Sequence, residues 1–229
     1  MNPTYQYLLF DADDTLLDFK ASEQEALEKL FQSLDLTLTE QLKEHYHTIN
    51  HSLWAAFERG EITKDEILNT RFRRLFQEEK IEIKRQGIEK EYQDLLASSH
   101  LLISGAIELL DNLKDHYELY IVSNGVATTQ YNRLKASGLY PYFNQIFISE
   151  ETGYQKPQVE FFDYVFSRIP NFIPSKALII GDSLASDIQG GVNASIDTCW
   201  YNPKHIVNTK GIPITYTISS YEELKQILR

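Results

Sequence analysis

YQYLLF, residues 5–10, runs directly into DADDT, residues 11–15. A short apolar and aromatic run stopped by carboxylates predicts a buried strand with polar groups at its carboxyl end. Three later runs have the same form: YELYIVS (117–123), NQIFIS (144–149) and KALIIG (176–181). IDTCWY (196–201) supplies a fifth strand. Between them lie helical patterns. Ile107, Leu109, Leu110 and Leu113 mark 105–115; a mostly polar segment, 126–137, ends at Ser137-Gly138, a helix stop. Phe161, Phe162, Val165 and Phe166 mark 158–168, with Pro157 suited to the first helical position. Strand alternating with helix predicts an α/β fold, a doubly wound, Rossmann-like parallel sheet.

From about Lys20 to Ser99 the alternation stops. Leu27, Leu30, Phe31 and Leu34 form one apolar stripe; Leu42, Tyr46, Ile49, Leu53 and Phe57 form a second. Ile67, Phe72, Leu75 and Phe76 suggest a third, and Tyr92, Leu95 and Leu96 a fourth. Three-four spacing of this kind predicts amphipathic helices. The expected layout is a strand-bearing core of residues 1–16 and 100–229 with an all-helical cap domain, 17–99, inserted after the first strand.

Composition narrows the function classes. With 42% hydrophobic and 24% charged residues, the 229-residue chain has what a globular core needs. A formal net charge of -11 repels a polyphosphate backbone, so a nucleic acid polymer is not an expected partner. The single cysteine, Cys199, allows no intrachain disulfide and suits a reducing compartment. Neither a targeting segment nor an apolar run near the ~20 residues of a membrane span is visible. A cytoplasmic protein with no membrane partner is expected.

Four clusters carry chemistry, each at the trailing end of a strand. Asp11 and Asp13 suit a division between nucleophile and acid/base. Ser123-Asn124-Gly125 opens a helix whose N–H groups suit an anion, or simply an N-cap turn. Lys156 precedes a helix and could neutralise phosphate. Asp182 and Asp187 flank the last turn, and with Asp11 they would repel one another unless a hard cation such as Mg2+ intervened.

Taken together, in this order and across the whole chain, the clusters resemble the four motifs of the haloacid dehalogenase (HAD) superfamily. The resemblance implies that Asp11 attacks phosphorus to form an aspartyl-phosphate. Asp13 would protonate the leaving oxygen and then activate water. Ser123, Asn124 and Lys156 would bind the phosphoryl group, with Asn124 and Thr15 secondary. Asp11, the Asp13 carbonyl and Asp182 would hold Mg2+, with Asp187 supporting the metal or orienting the site. Dehalogenases of the superfamily lack an aspartate at the second acidic position and its ion pumps carry threonine there, so Asp13 implies a phosphatase.

Asp14 stands where glycine is common and looks like the variant of one branch, the cytoplasmic house-cleaning pyrimidine 5′-nucleotidases. Asn50 to Trp54, Arg59 to Thr63, Arg71-Phe72, Ser149 to Glu151, Gly190-Gly191 and Cys199-Trp200 resemble that branch too. The resemblance implies a magnesium-dependent phosphomonoesterase for pyrimidine nucleoside 5′-monophosphates, modified bases included. The cap would close over the site, with Asn50, Trp54 and Arg71 as substrate contacts. Trp54 and Phe57 equally suit packing within the bundle. Rival readings are a phosphatase for a sugar phosphate or phosphoglycolate, a sugar-phosphate mutase, and a non-catalytic HAD-fold interaction module.

Overall fold

The computed structural model describes residues 5–228. The chain divides into two compact units, one formed by residues 1–20 and 100–229 and the other by 21–99.

The first unit is built on six strands: β1 (Tyr7–Phe10), β2 (Glu118–Ser123), β3 (Gln145–Ile148), β4 (Ala177–Gly181), β5 (Asp197–Tyr201) and β6 (Tyr216–Ile218). Their order is β3-β2-β1-β4-β5-β6 and every neighbouring pair is parallel. Phe10 stands beside Ile121 on one flank and Ile180 on the other. The chain leaves β1 in one direction toward β2 and β3, and later in the other toward β4, β5 and β6. That reversal creates a switch point at the carboxyl end of β1, where open parallel sheets bind ligands.

Side chains alternate across the sheet and build two cores. Leu8, Phe10, Ile121 and Ile180 face α5 (Ala106–Leu113) and α10 (Tyr221–Ile227), where Leu109, Leu110 and Leu224 are buried. Tyr7, Leu9, Val122 and Ile179 face α8 (Val159–Arg168) through Phe161, Phe162 and Val165. Burial on both faces explains why these strands read as continuous apolar runs. The unit also holds α6 (Ala127–Ala136), the single turn α7 (Ser149–Thr152) and α9 (Gln189–Asn193). Gly138 follows α6 at φ 78°, the left-handed conformation that stops a helix.

Two sequence expectations change here. Pro157 is not in a helix: α8 starts at Val159, and the Pro157 carbonyl accepts from Asn193 Nδ2 at 2.8 Å. β6 and α10 complete the sheet and one core beyond the five expected strands.

The second unit contains α2 (Glu40–Glu58), α3 (Lys64–Glu78), α4 (Ile88–Ser98) and most of α1 (Phe19–Ser33). Thr39 caps α2, and Thr63 with Glu66 forms a reciprocal capping box on α3. The four apolar stripes meet inside: Leu27, Leu30, Phe31, Tyr46, Ile67, Leu75 and Tyr92 are buried. None of the helices among the described residues is long and apolar enough to cross a membrane.

Candidate active site

Asp11 is the first residue beyond β1, and its N–H donates to the Ile180 carbonyl at 2.9 Å, which locks the loop to β4. The residue is 8% exposed. Burial pushes its carboxyl well above the usual range. Lys156 opposes that rise, while the charges of Asp187, Asp182 and Asp13 add to it.

Lys156 arrives from beyond β3 and is 1% exposed. Its ammonium donates to Asp11 Oδ1 at 2.7 Å, Asp187 Oδ1 at 2.6 Å and the Val122 carbonyl at 2.7 Å. Burial works against the charge, but Asp11 and Asp187 together hold the lysine pKa above its ordinary value. All three ammonium protons therefore have acceptors, and the cation is fixed at the β1–β2 edge.

Ser123 ends β2 and is 1% exposed. Its Oγ accepts from the Gly125 N–H at 3.1 Å and from Gln130 Nε2 at 2.8 Å. With those acceptor positions filled, its O–H is left to donate. Asn124 has a different task from the one expected. Its Oδ1 accepts from the Lys156 N–H and its Nδ2 donates to the Lys156 carbonyl, both at 2.9 Å. The amide braces the lysine loop with one of its two N–H donors and its oxygen.

Asp182 follows β4, and its carbonyl accepts from Trp200 Nε1 at 2.8 Å. Burial first, then the charges of Asp187 and Asp14, push its carboxyl up to about 8. Asp187 lies in a π-helical turn, Leu184–Ile188, and is 1% exposed. Its Oδ1 takes Lys156 and its Oδ2 accepts from the Ser183 N–H at 3.0 Å. A side chain on Gly181 would place Cβ 2.2 Å from Asp187 Oδ2, so only glycine lets Asp187 reach this position.

Asp11, Asp182 and Asp187 each offer an oxygen within 4.8 Å of the others. Such an all-oxygen set fits a hard divalent cation. Burial first, and repulsion among the carboxylates second, raise Asp11 and Asp182, and a bound cation would offset both. Because both oxygens of Asp187 already hold partners, Asp11 and Asp182 suit direct contact and Asp187 suits orientation.

Asp13 and Asp14 occupy the turn after Asp11. Asp14 adopts φ 54°, a left-handed conformation that aspartate tolerates and glycine would adopt freely. It accepts from the Lys20 N–H at 3.2 Å and pairs with Lys20 Nζ at 2.9 Å. Thr15 is fully buried; its carbonyl accepts from the Tyr221 hydroxyl at 2.6 Å. The Asp13 carboxylate points to α6. Its Oδ2 accepts from Gln130 Nε2 at 2.8 Å and its Oδ1 from Arg133 Nη1. Neither α6 residue announces itself in the sequence, where the segment reads only as a mostly polar helix.

The remaining candidates belong to the helical unit. Asn50 is 7% exposed and Arg71 is 2% exposed. Asn50 donates to Glu23 Oε1 at 3.1 Å and accepts from Arg71 Nη1 at 3.1 Å. Arg71 also pairs with Glu89 through Nε at 2.9 Å and Nη2 at 2.5 Å, and stacks on Tyr92 at 4.5 Å. Those polar atoms are engaged in the bundle interior, so the geometry gives Asn50 and Arg71 a bracing role in place of the expected substrate contact. Trp54 is half-buried, its ring edge-on to Phe57 at 5.7 Å.

Residues 8–201 match the model of the haloacid dehalogenase-like hydrolase family. The chain is 44% identical to the pyrimidine 5′-nucleotidase PynA of Streptococcus pneumoniae, over 98% of this chain and 95% of that protein. It is 33% identical to the pyrimidine 5′-nucleotidase YjjG of Escherichia coli, over 98% of each. The HAD-hydrolase YfnB of Bacillus subtilis, solved bound to magnesium, superposes with a TM-score of 0.93 at 51% identity, covering 98% of this chain and 99% of that one.

Proposed function

The chain belongs to the haloacid dehalogenase-like hydrolase family and is a phosphoric monoester hydrolase, and from that premise we propose that it hydrolyses pyrimidine nucleoside 5′-monophosphates through a phosphorylated Asp11. The observation that carries the mechanism is the buried Lys156 ammonium held against Asp11 at the carboxyl end of β1. Full-length identity to two pyrimidine 5′-nucleotidases supports the substrate class.

An anionic carboxylate approaching a phosphate must overcome repulsion. Lys156 reduces it by placing a cation beside the nucleophile, in a buried position where charge interactions are strong. Ser123 donates its free O–H to a phosphoryl oxygen. The charge of Lys156 and the hydroxyl of Ser123 together favour approach of the phosphoryl group to Asp11. Asp13 protonates the departing ester oxygen as the P–O bond breaks, so the nucleoside leaves as an alcohol. The resulting carboxylate then takes a proton from water as that water attacks the aspartyl-phosphate, releasing inorganic phosphate and restoring Asp11. Asp187 keeps Lys156 and the Ser183 loop in place throughout.

A magnesium ion held by Asp11, Asp182 and the Asp13 carbonyl, with Asp187 behind them, would supply positive charge to the phosphoryl oxygens. The identity of YfnB, solved with magnesium, supports this assignment.

Turnover across nucleoside monophosphates, sugar phosphates, phosphoglycolate and an aryl phosphate tests the proposal. Uridylate and thymidylate should be preferred over purine nucleotides. A sugar phosphate turned over far faster than every nucleotide would overturn the substrate class, and Asp11→Asn with full activity would overturn the mechanism.

A further inference from the structure

Asp13 is the group on which both proton transfers rest, yet it lies on a loop and is partly exposed, with 29% of its side chain accessible. Something must hold it at the right place. Gln130 and Arg133 are each 1% exposed and occupy one face of α6 at i, i+3 spacing. Each reaches a different oxygen of the Asp13 carboxylate. Arg133 Nη1 also donates to Gln130 Oε1 at 3.2 Å, and its guanidinium lies over the Phe19 ring at 5.4 Å. The same Gln130 Nε2 donates to Ser123 Oγ at 2.8 Å. One amide therefore ties the proton-transfer carboxylate to the hydroxyl assigned to the phosphoryl group.

The sequence makes room for this amide. Gly125 lies beneath it, and a Cβ there would sit 2.7–2.9 Å from Gln130 Cγ, Cδ and Nε2. No positive φ demands glycine at 125, so the close approach of Gln130 is the reason for its absent side chain.

We infer that Gln130 and Arg133 are positioning residues for Asp13, a two-pronged cradle that sets the acid/base carboxylate against the leaving oxygen and against the attacking water. The inference rests on the aspartyl-phosphate reading above. Arg133 acts on Asp13 alone among the reacting groups, whereas Gln130 also steadies Ser123 in the phosphate pocket.

This placement predicts a signature that general disruption would not produce. An aryl phosphate with an acidic phenol leaves without help from an acid, whereas a nucleoside 5′-oxygen needs the proton. Arg133→Met and Gln130→Met should each lower kcat/KM for a nucleoside monophosphate about tenfold to a hundredfold, part of the roughly 10²–10⁴ that general acid–base chemistry contributes. On 4-nitrophenyl phosphate kcat/KM should stay near the unsubstituted value for Arg133→Met and fall for Gln130→Met by less than on the nucleotide, because Ser123 loses a partner there. The kcat on this ester should fall, with a burst of nitrophenolate, because water attack on the phosphoenzyme still needs Asp13. Arg133→Lys, which keeps a cation, should recover part of the loss.

Asp13→Asn is the reference. If Asp13→Asn is fully active, the catalytic reading itself has failed. If Asp13→Asn is impaired while Arg133→Met and Gln130→Met match the unsubstituted enzyme, only the cradle is wrong. Equal losses of kcat/KM on both esters in Arg133→Met, with a lowered melting temperature, would assign the pair to structure and overturn the inference.

Discussion

Lys156 Nζ stands 2.7 Å from Asp11 Oδ1, and both residues are buried. The pair joins the first strand to the segment after the third, so it is at once a tertiary tie and the electrostatic centre of the site. Lys156→Met should lower kcat/KM by about 10²–10³, the usual effect of removing one preorganised donor to transition-state charge. It should also cost ~3–5 kcal/mol at neutral pH, because Asp11 and Asp187 would lose their shared cation. Denaturant unfolding at two pH values checks this: the cost should shrink in acid, as Asp11 takes up a proton. A variant with unchanged stability and activity would refute the role.

Asp182 provides a pH test in metal-free protein. Its carboxyl is pushed up to about 8, above the roughly 3.9 of an unfolded chain. Between those values the folded state retains a proton that the unfolded state has lost. The associated stabilisation is complete below about pH 4 and disappears as pH rises toward 8, with a slope of at most ~1.4 kcal/mol per pH unit. Asp182→Asn should flatten that part of the stability profile measured in chelator. An identical profile in both proteins would show that Asp182 titrates normally.

Magnesium should offset the burial and mutual repulsion that raise these carboxyls. Exhaustive chelation should abolish turnover and lower the Tm, and added Mg2+ should restore both. Saturation at about 100 times Kd stabilises a folded protein by about 2.7 kcal/mol if the ion binds that state alone. Ca2+ should raise the Tm but support little turnover, because its larger and looser coordination misplaces nucleophile and phosphate. Undiminished activity in chelator would exclude the metal.

What can be read from the sequence depends on how local the signal is. Asp11, Ser123 and Asp182 are legible because each ends or follows a run whose burial on both faces makes it continuously apolar, and Lys156 because it stands with Pro157 ahead of a helical pattern. Gln130 and Arg133 carry no such mark. They sit among Thr128, Thr129, Tyr131 and Asn132, so their inward face emerges only when β1 and β2 pair and bring Asp13 beside α6. Asn50 and Arg71 show the reverse. Polar residues suggest recognition, but Glu23 and Glu89 absorb them inside the bundle. Asn124 fits its turn as expected, but the distant Lys156 backbone decides which way its amide works. β6 is a three-residue strand, too short for periodicity to reveal.

The buried polar network of the helical unit should be a stability element. Arg71 has Glu89 and Asn50 as partners, and Asn50 in turn meets Glu23, which is 5% exposed. Arg71→Met should destabilise the protein by ~1–3 kcal/mol, since buried Asn50 Oδ1 loses its donor and the partly exposed Glu89 loses its ion pair. Turnover of the folded fraction on 4-nitrophenyl phosphate should persist. A variant of normal stability with a raised KM for nucleotides alone would return Arg71 to the substrate.

Gly125 offers a way to separate packing from chemistry. The Cβ of Gly125→Ala would meet buried Gln130 atoms at 2.7–2.9 Å, closer than van der Waals contact allows. Overpacking of this sort costs typically ~1–3 kcal/mol. The displaced Gln130 should also release Asp13 and Ser123, so activity on a nucleoside monophosphate should fall with stability. Gln130→Ala alone removes the two donor contacts and leaves a small void. In the double variant Gly125→Ala with Gln130→Ala, the new methyl enters that void. Its stability should therefore exceed the sum of the two single losses by ~0.5–3 kcal/mol, the coupling expected of touching residues. Its activity should not recover, because no amide remains to hold Asp13. Parallel unfolding and kinetic measurements on the three proteins would decide the matter. Additive stabilities would mean that Gly125 and Gln130 do not meet as described. Recovery of activity together with stability would mean that the glycine serves only the packing of α6.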